Sequence, residues 1–310
     1  MNISPTGGVI AAASKKDALP LLQIGSISIL KRIVLSFQQA GIFPIVIVTG
    51  TQEEEVKHQL SGCGVVFLHN DDCEEPELFA SAKIGFSYLE DKCRRIVFTP
   101  VNVPMFTSGT LRTLMDQEGD VLIPCYEGVS GHPILISQSI LPDILSYEGD
   151  GGLRAAVGAC SCRLRLVSTN DPGVTISIHN GRQLGERVSE HNRTLLHPTM
   201  QLGLQRETVF FNSRMKLLLY LISYTHSVRS ACGYMALSYG KAWDMLNKLE
   251  AEMGFPLVER RHGGSRGGNT TLTPRGLSFL EAWIQFENDM FSSVQARFAE
   301  RFSEFFSRRI

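Results

Sequence analysis

Pro44 restarts the chain into Ile45-Val46-Ile47-Val48, a charged stretch follows from Glu53 to Leu60, and Val65-Val66-Phe67-Leu68 closes the unit. The two apolar runs are strand length and rich in β-branched residues, which suit a pleated surface. They do not alternate with polar residues, so each strand is expected to be buried on both faces, as in a parallel sheet covered by helices. The same alternation continues outward. Upstream, Gly8 to Ala13 reads as a strand ending in a loop, and Ile29, Leu30, Ile33, Val34, Phe37 and Ala40 recur at helical spacing. Downstream, Leu78 to Leu89 reads as a helix and Arg95 to Thr99 as a strand. Strands alternating with helices predict βαβ units, right-handed crossovers and an α/β three-layer, Rossmann-like sandwich. Beyond residue 105 the pattern loosens, with Val121-Leu122-Ile123, Pro133 to Ile136 and Arg163 to Val167 as further strands.

At 310 residues the chain is long enough for two domains. Residues 185 to 205 are polar and broken by Gly185, Pro198 and Gly203. The boundaries expected are therefore a first domain at 1–196, ending in a helix from Glu186 to Leu196, a linker at 197–210 and a second domain at 211–310. Charge divides along the same line. Residues 206–310 hold 14 Lys and Arg against 10 Asp and Glu, while 1–205 hold 16 against 21. An acidic front and a basic back is the pattern of a nucleic-acid-binding module joined to something else. The seven cysteines are odd in number and contain no CxxC, which reads as reduced thiols. Cys160-x-Cys162 offers two metal ligands at most, too few for a zinc site. No basic-then-apolar leader and no apolar run of membrane-spanning length is visible, so the expectation is a cytoplasmic protein with no membrane partner.

The back half reads as helices. Met215, Leu218, Leu219 and Ile222 form an apolar face, Val228 to Met235 a second helix, and Tyr239 to Met253 a third. In the third, Ala242, Leu246, Leu249 and Met253 face inward, Ser238 stands at the N-cap and Gly254 at the stop. Two β-prone arms around a glycine-rich tip, Pro256 to Arg261 and Thr270 to Thr273, predict a hairpin, and Pro274 starts a long final helix. A short helix, a tight turn and an amphipathic helix can present a polar face to the major groove of DNA. Ser238, Tyr239, Lys241 and Lys248 lie on that helix, and the hairpin adds Arg260, Arg261 and Arg266, with Arg275 beyond it. Such cations would contact phosphates. On pattern alone, a three-helix protein-interaction module with a solvated basic hairpin is the lesser alternative.

Specific segments favour DNA. Ala231-Cys232, Leu237 to Glu250 with its Ser-Tyr-x-x-Ala-Trp start, Gly254 to Arg260, the double glycines of Gly263 to Gly268 and Leu272-Thr273-Pro274-Arg275-Gly276 resemble the N-terminal domain of the molybdate-responsive regulator ModE, of the LysR-type winged helix-turn-helix group. The resemblance covers about 80 residues. It implies double-stranded DNA as partner and a homodimer reading a palindrome, with the phenylalanine-rich last helix as the seam. The molybdate-binding part of that family has no counterpart within these residues, so direct molybdate sensing is not implied.

The front half carries a second resemblance. Ala11-Ala12-Ala13-Ser14, Pro20-Leu21-Leu22, Ile24-Gly25, Thr99 to Pro104, Gly131-His132-Pro133 and Gly151-Gly152-Leu153-Arg154 resemble the MobA-like nucleotidyltransferases, which include molybdenum-cofactor guanylyl- and cytidylyltransferases. The resemblance spans roughly residues 6 to 185. It implies transfer of a nucleotidyl group from an NTP with release of pyrophosphate, and a nucleotide site at Ala12, Ala13, Ser14, Lys16, Asn102, His132 and Arg154. The departures are chemical. The family's loop glycine is Ala13 here, and its Arg-Met-Gly segment is reduced to Lys15-Lys16. The aspartate that holds Mg²⁺ in the family is Asn102, and the stretch from Gly173 to Asn180 has no aspartate where the family has Asp-x-Asp-Thr. An amide keeps an acceptor oxygen and loses the charge that Mg²⁺ prefers. The expectation is therefore a DNA-binding transcriptional regulator whose front domain senses a nucleotide or pterin-type ligand with impaired catalysis. The alternative is an active Mg²⁺-dependent nucleotidyltransferase fused to its regulator. A ligand-free structural front domain is the third reading.

Overall fold

The computed structural model describes residues 4–13, 19–72, 78–178, 198, 200–261 and 269–306. The chain divides into two compact units. One comprises Ile3–Leu60 and Val65–Leu195, and the other Leu196–Ile310 with Met1–Asn2 and Ser61–Gly64. The expected helix from Glu186 to Leu196 lies outside the described residues.

In the front unit the chain runs β1 (Ser4–Ala11), β2 (Gln23–Ile24), β3 (Ile27–Ser28), α1 (Ile29–Gln39), β4 (Ile45–Thr49), α2 (Glu53–Leu60), β5 (Val66–His69), α3 (Leu78–Leu89), β6 (Cys93–Pro100), α4 (Ser108–Met115), β7 (Val121–Tyr126), β8 (Val129–Ser130), β9 (Ile134–Ser137), α5 (Leu141–Ser146), α6 (Gly152–Ala159) and β10 (Leu164–Ser168). The sheet is ordered β10-β7-β9-β6-β1-β4-β5, with β8 paired to β7. β5, β4, β1 and β6 are mutually parallel. Successive residues on these strands, such as Val9 and Ile10 or Val97 and Phe98, are fully buried. Neighbouring side chains on a strand point to opposite faces, so both faces are covered and the unit has three layers.

The sheet is mixed rather than wholly parallel, because β9 is antiparallel to both β6 and β7. The cause is a two-residue turn. Glu127 (φ 48°) and Gly128 (φ 84°) fold β7 directly back onto β8, and a connection that short cannot make the crossover a parallel pair requires.

In the back unit β11 (Leu204–Gln205) and β12 (Val209–Phe211) pair antiparallel, followed by α7 (Ser213–Thr225), α8 (Val228–Met235), α9 (Tyr239–Met253), the hairpin β13 (Val258–Arg261) and β14 (Asn269–Leu272), and α10 (Pro274–Phe306). The stretch expected as linker at 197–210 thus contains most of a hairpin. α7 also departs from expectation. Residues 215–222 are all buried, so this helix is enclosed rather than one-faced. α8, β12, β14 and α10 surround it. Its one buried charge, Lys216, is ion-paired with Glu287 of α10, and Phe211 packs edge-on against Phe279 and Trp283.

Local chemistry sets the helix ends. Asn212 Oδ1 accepts the Arg214 and Met215 N–H groups at 3.1 Å each, Ser227 Oγ caps α8 and Ser238 Oγ caps α9. Gly254 ends α9 in the left-handed region at φ 73°. Glu250 then bolts the hairpin to α9, its Oε1 accepting from Leu257 N at 2.7 Å and Val258 N at 3.0 Å. Among the described residues, no helix is long and apolar enough to cross a membrane.

Candidate functional site

The topology locates a crevice in the front unit before any residue is considered. From β1 the chain steps outward to β4 and β5, then returns through α3 to β6 on the other side of β1. The strand order reverses between β1 and β6, and in open α/β sheets ligands bind outside the carboxyl ends of strands at such a point. Ala11 of β1 is in register with Pro100 of β6, so Ala12-Ala13 and Asn102 emerge side by side there.

Ala12 is buried and its N–H donates to Val48 O at 2.9 Å, so its amide extends the sheet and is not available to a phosphate. Ala13 is half-buried; Ser14 and Lys16 lie outside the described residues. The segment 171–178 crosses the crevice. Its Ile178 N–H donates to Asn102 O at 2.7 Å and Val174 O accepts the His132 N–H at 2.9 Å, so one segment holds the backbones of both Asn102 and His132. Gly131 is required there, because a Cβ would stand 2.1 Å from Val174 O.

At the centre, Asn102 Nδ2 donates to Ser177 Oγ at 2.9 Å. Asp171, the one carboxylate on the crossing segment, is turned away from any such role. It accepts from Thr107 N at 2.7 Å, Thr110 Oγ1 at 2.6 Å and Gly173 N at 2.9 Å, and so fastens the segment to the start of α4. Asp71 and Asp72 follow β5, two strands beyond β1, and cannot stand beside Asn102. Among the described residues no three His, Cys, Asp or Glu side chains gather as metal ligands. The Cys160 and Cys162 thiols instead donate to the α6 carbonyls of Ala156 and Val157.

His132 packs edge-on against Phe98, with ring centroids 6.1 Å apart. Burial pushes its pKa down to about 4, against a smaller opposing pull from a hydrogen bond to the Phe98 backbone. It is therefore neutral at pH 7, with a buried Nδ1 that has no partner. Arg154, on the first turn of α6, is exposed. No hydrogen bond or ion pair joins it to Asn102 or His132 among the described residues.

The back unit presents a polar surface along α9. Ala242, Leu246 and Leu249 are buried, leaving Gly240, Lys241, Asp244 and Lys248 on the opposite side. Lys248 Nζ donates to Thr208 Oγ1 at 2.7 Å, tying that cation to the β11–β12 turn. Ser238 is engaged as the cap. Tyr239 is 47% exposed, which for so large a ring leaves a usable face. Arg260 stacks on Trp243 with its guanidinium carbon 4.0 Å from the ring centroid and donates to Asn247 Oδ1 at 2.9 Å. Arg275 stacks likewise over Phe255 at 3.9 Å. Arg261 is described only as backbone of β13, and Arg266 lies outside the described residues. Sequence reasoning missed Arg229, Trp243 and Asn247, although the spacing of Tyr239, Trp243 and Asn247 by four places them on one flank of the helix.

Comparison with known proteins finds likenesses to the front unit. Residues 16–164 match the family model described as a MobA-like NTP transferase domain. The match begins beyond the Ala12-Ala13 loop and ends before the segment that carries Ser177. Among solved structures, the Mycobacterium tuberculosis H37Rv protein Rv0371c is 20% identical, with 61% of this chain and 100% of that chain covered at a TM-score of 0.52. A nucleotidyl transferase from Methanothermobacter is 22% identical, with 63% and 100% covered at 0.52. A second structure of the mycobacterial protein is a complex with manganese, at 20% identity, 61% and 100% coverage and 0.51. No curated protein matches the sequence. Residues 16–164 are therefore similar to a MobA-like NTP transferase domain and the front unit shares the mixed α/β fold of these structures, while the helical unit that follows lies beyond the family match.

Proposed function

We propose that the chain is a DNA-binding transcriptional regulator whose front unit binds a nucleotide or pterin-type ligand without the metal-dependent chemistry of its fold. The observation that carries the second half is the Asn102–Ser177 hydrogen bond. A divalent cation in phosphoryl transfer is held by carboxylates and neutralises charge on the transferring phosphate. The groups here are an amide and a hydroxyl, bonded to each other, and Asp171 is saturated by its own donors. Among the described residues, those at this point do not fit Mg²⁺. The mycobacterial relative, by contrast, was solved with manganese.

Calorimetric titration of the whole chain with CTP, GTP and ATP, each with and without Mg²⁺, tests this. The expected result is binding whose affinity is the same in both conditions. Tight binding only with Mg²⁺, accompanied by pyrophosphate release, would return the chain to the working nucleotidyltransferases.

The DNA-binding half rests on the order and chemistry of the back unit. α8 and α9 are joined by a three-residue turn, α9 keeps a polar outer face, and an antiparallel hairpin follows, an order that supports the winged helix-turn-helix reading. Lys241→Ala is expected to lower the slope of log affinity against log salt by about one unit on duplex DNA. A second copy of the chain is the further partner. Phe291, Val294, Phe298, Phe302 and Phe305 recur at helical spacing along α10, and the last two are 44% and 75% exposed. Phe302→Glu is expected to convert a sedimenting dimer to monomer.

A further inference from the structure

The exposed flank of α9 carries an arrangement that neither the family match nor the helix pattern assigns. Arg229 of α8 lies over the Tyr239 ring with its guanidinium carbon 5.3 Å from the centroid. Tyr239 meets Trp243 edge to face, with centroids 6.1 Å apart. Trp243 in turn lies under Arg260 of β13 at 4.0 Å, and Arg260 is fixed sideways by Asn247 Oδ1. Cation, ring, ring and cation thus form one run across three elements. Tyr239 and Trp243 are four residues apart, so the two arginines lie along one side of α9 about a helical turn from each other.

Three facts separate this run from a solvated surface. A free arginine samples many rotamers, and fixing one on contact costs conformational entropy. Here both guanidinium groups are already stacked on rings, and Arg260 is further fixed by an amide. Second, a guanidinium has five N–H donors and the described structure engages one of Arg260's, to Asn247. Third, the acidic side chains in the vicinity, Asp244 on α9 and Glu259 on β13, form no ion pair with either arginine among the described residues. The geometry is that of planar cations prepared for an oxyanion. The outermost side of α9, with Lys241, Asp244 and Lys248, is left for base edges and for the phosphate that Lys241 is expected to meet.

We infer that Arg229 and Arg260 are phosphate contacts flanking α9 and that Trp243 is the positioning residue that holds Arg260 for one of them. This rests on the DNA-binding reading above and adds to it which residues grip the backbone and why a tryptophan stands at the rim of the helix.

The test is anisotropy titration of the full chain on a mixed-sequence duplex of about 30 base pairs, between 50 and 200 mM salt. Arg260→Ala is expected to lower the salt slope by about one unit. Trp243→Leu is expected to weaken binding about threefold, the scale of a lost exposed cation–π contact. Trp243→Phe, which keeps a ring under the guanidinium, is expected to restore most of the affinity. In the Arg260→Ala background, Trp243→Leu is expected to add no further loss, because there is no guanidinium left to hold. A folding defect would weaken both backgrounds alike, and helical circular dichroism of each variant identifies it independently. If Trp243→Leu costs the same with and without Arg260, or Trp243→Phe fails to rescue, the positioning role is wrong while DNA binding stands. If the unmodified chain shows no salt-dependent affinity for duplex, the DNA-binding reading itself falls.

Discussion

Burial holds the His132 imidazole at a pKa of about 4, while an unfolded chain would protonate it near 6.5. Between those values the unfolded state binds the extra proton and the folded state does not, so stability must fall as pH drops from 6.5 to 4. The gap corresponds to about 3 kcal/mol, fully lost below pH 4 and absent as a penalty at pH 7. Hydrogen exchange of the β6 and β9 amides, corrected for intrinsic rates, should show this decline, and His132→Gln should flatten it. An unchanged decline in the variant would move the titrating group elsewhere. The Lys216–Glu287 pair is a second residue-scale case. Burial drives the Lys216 pKa down, and Glu287 opposes that in part. Truncating one partner leaves the other charge unpaired, so Glu287→Ala should cost about 3–5 kcal/mol of back-unit stability. The double change to Lys216→Met with Glu287→Met should cost far less, measured by urea unfolding followed through the buried Trp283. Neither effect was legible in the sequence: His132 stood only as a nucleotide-site residue implied by a resemblance and nothing singled out Lys216, because burial is a tertiary property.

At the scale of elements, α3 shows packing overruling propensity. Gly85 sits mid-helix, where alanine would ordinarily gain about 1 kcal/mol. A Cβ there would stand 2.4 Å from Val9 Cγ1, on a strand residue that is fully buried and cannot yield. Overpacking of that kind costs about 1–3 kcal/mol, so Gly85→Ala should destabilise the front unit, as a lower thermal midpoint would show. Helices with strong punctuation were legible from sequence. Tyr239 to Met253 begins after a serine cap and ends at a left-handed glycine, and Leu78 to Leu89 repeats its apolar positions through Gly85 and holds no proline. The strands β11 and β12 were not legible, since two- and three-residue strands carry no periodicity. Contact with α9 and the Thr208–Lys248 hydrogen bond locate them instead. The antiparallel placement of β9 was missed because its sequence is that of any buried strand, and the deciding turn is only Glu127-Gly128. In the crevice, the amide of Asn102, where the resemblance implies a carboxylate, stands in the sequence itself. Its pairing with Ser177 could not be read there, because 75 residues separate the two and only the crossing segment joins them.

For the whole molecule, a regulator requires the two units to exchange free energy, not merely to share a chain. The front unit is acidic and the back unit basic by sequence, so the proposed reading puts DNA affinity in the back and ligand chemistry in the front. If the front ligand changes the affinity for DNA by some factor, DNA must change the affinity for that ligand by the same factor. Coupling of about 1–3 kcal/mol, typical of allosteric pairs, corresponds to roughly 5- to 150-fold. The expected outcome is that a saturating nucleotide which binds without Mg²⁺ alters duplex affinity at least about fivefold. Calorimetry of nucleotide binding on the preformed protein–DNA complex should then return a matching change. Equal affinities with and without nucleotide would show that the front unit does not report to DNA and would reduce it to a scaffold. A change in one direction only would violate linkage and would point to a third bound species, such as a second copy of the chain, whose assembly one of the two ligands controls.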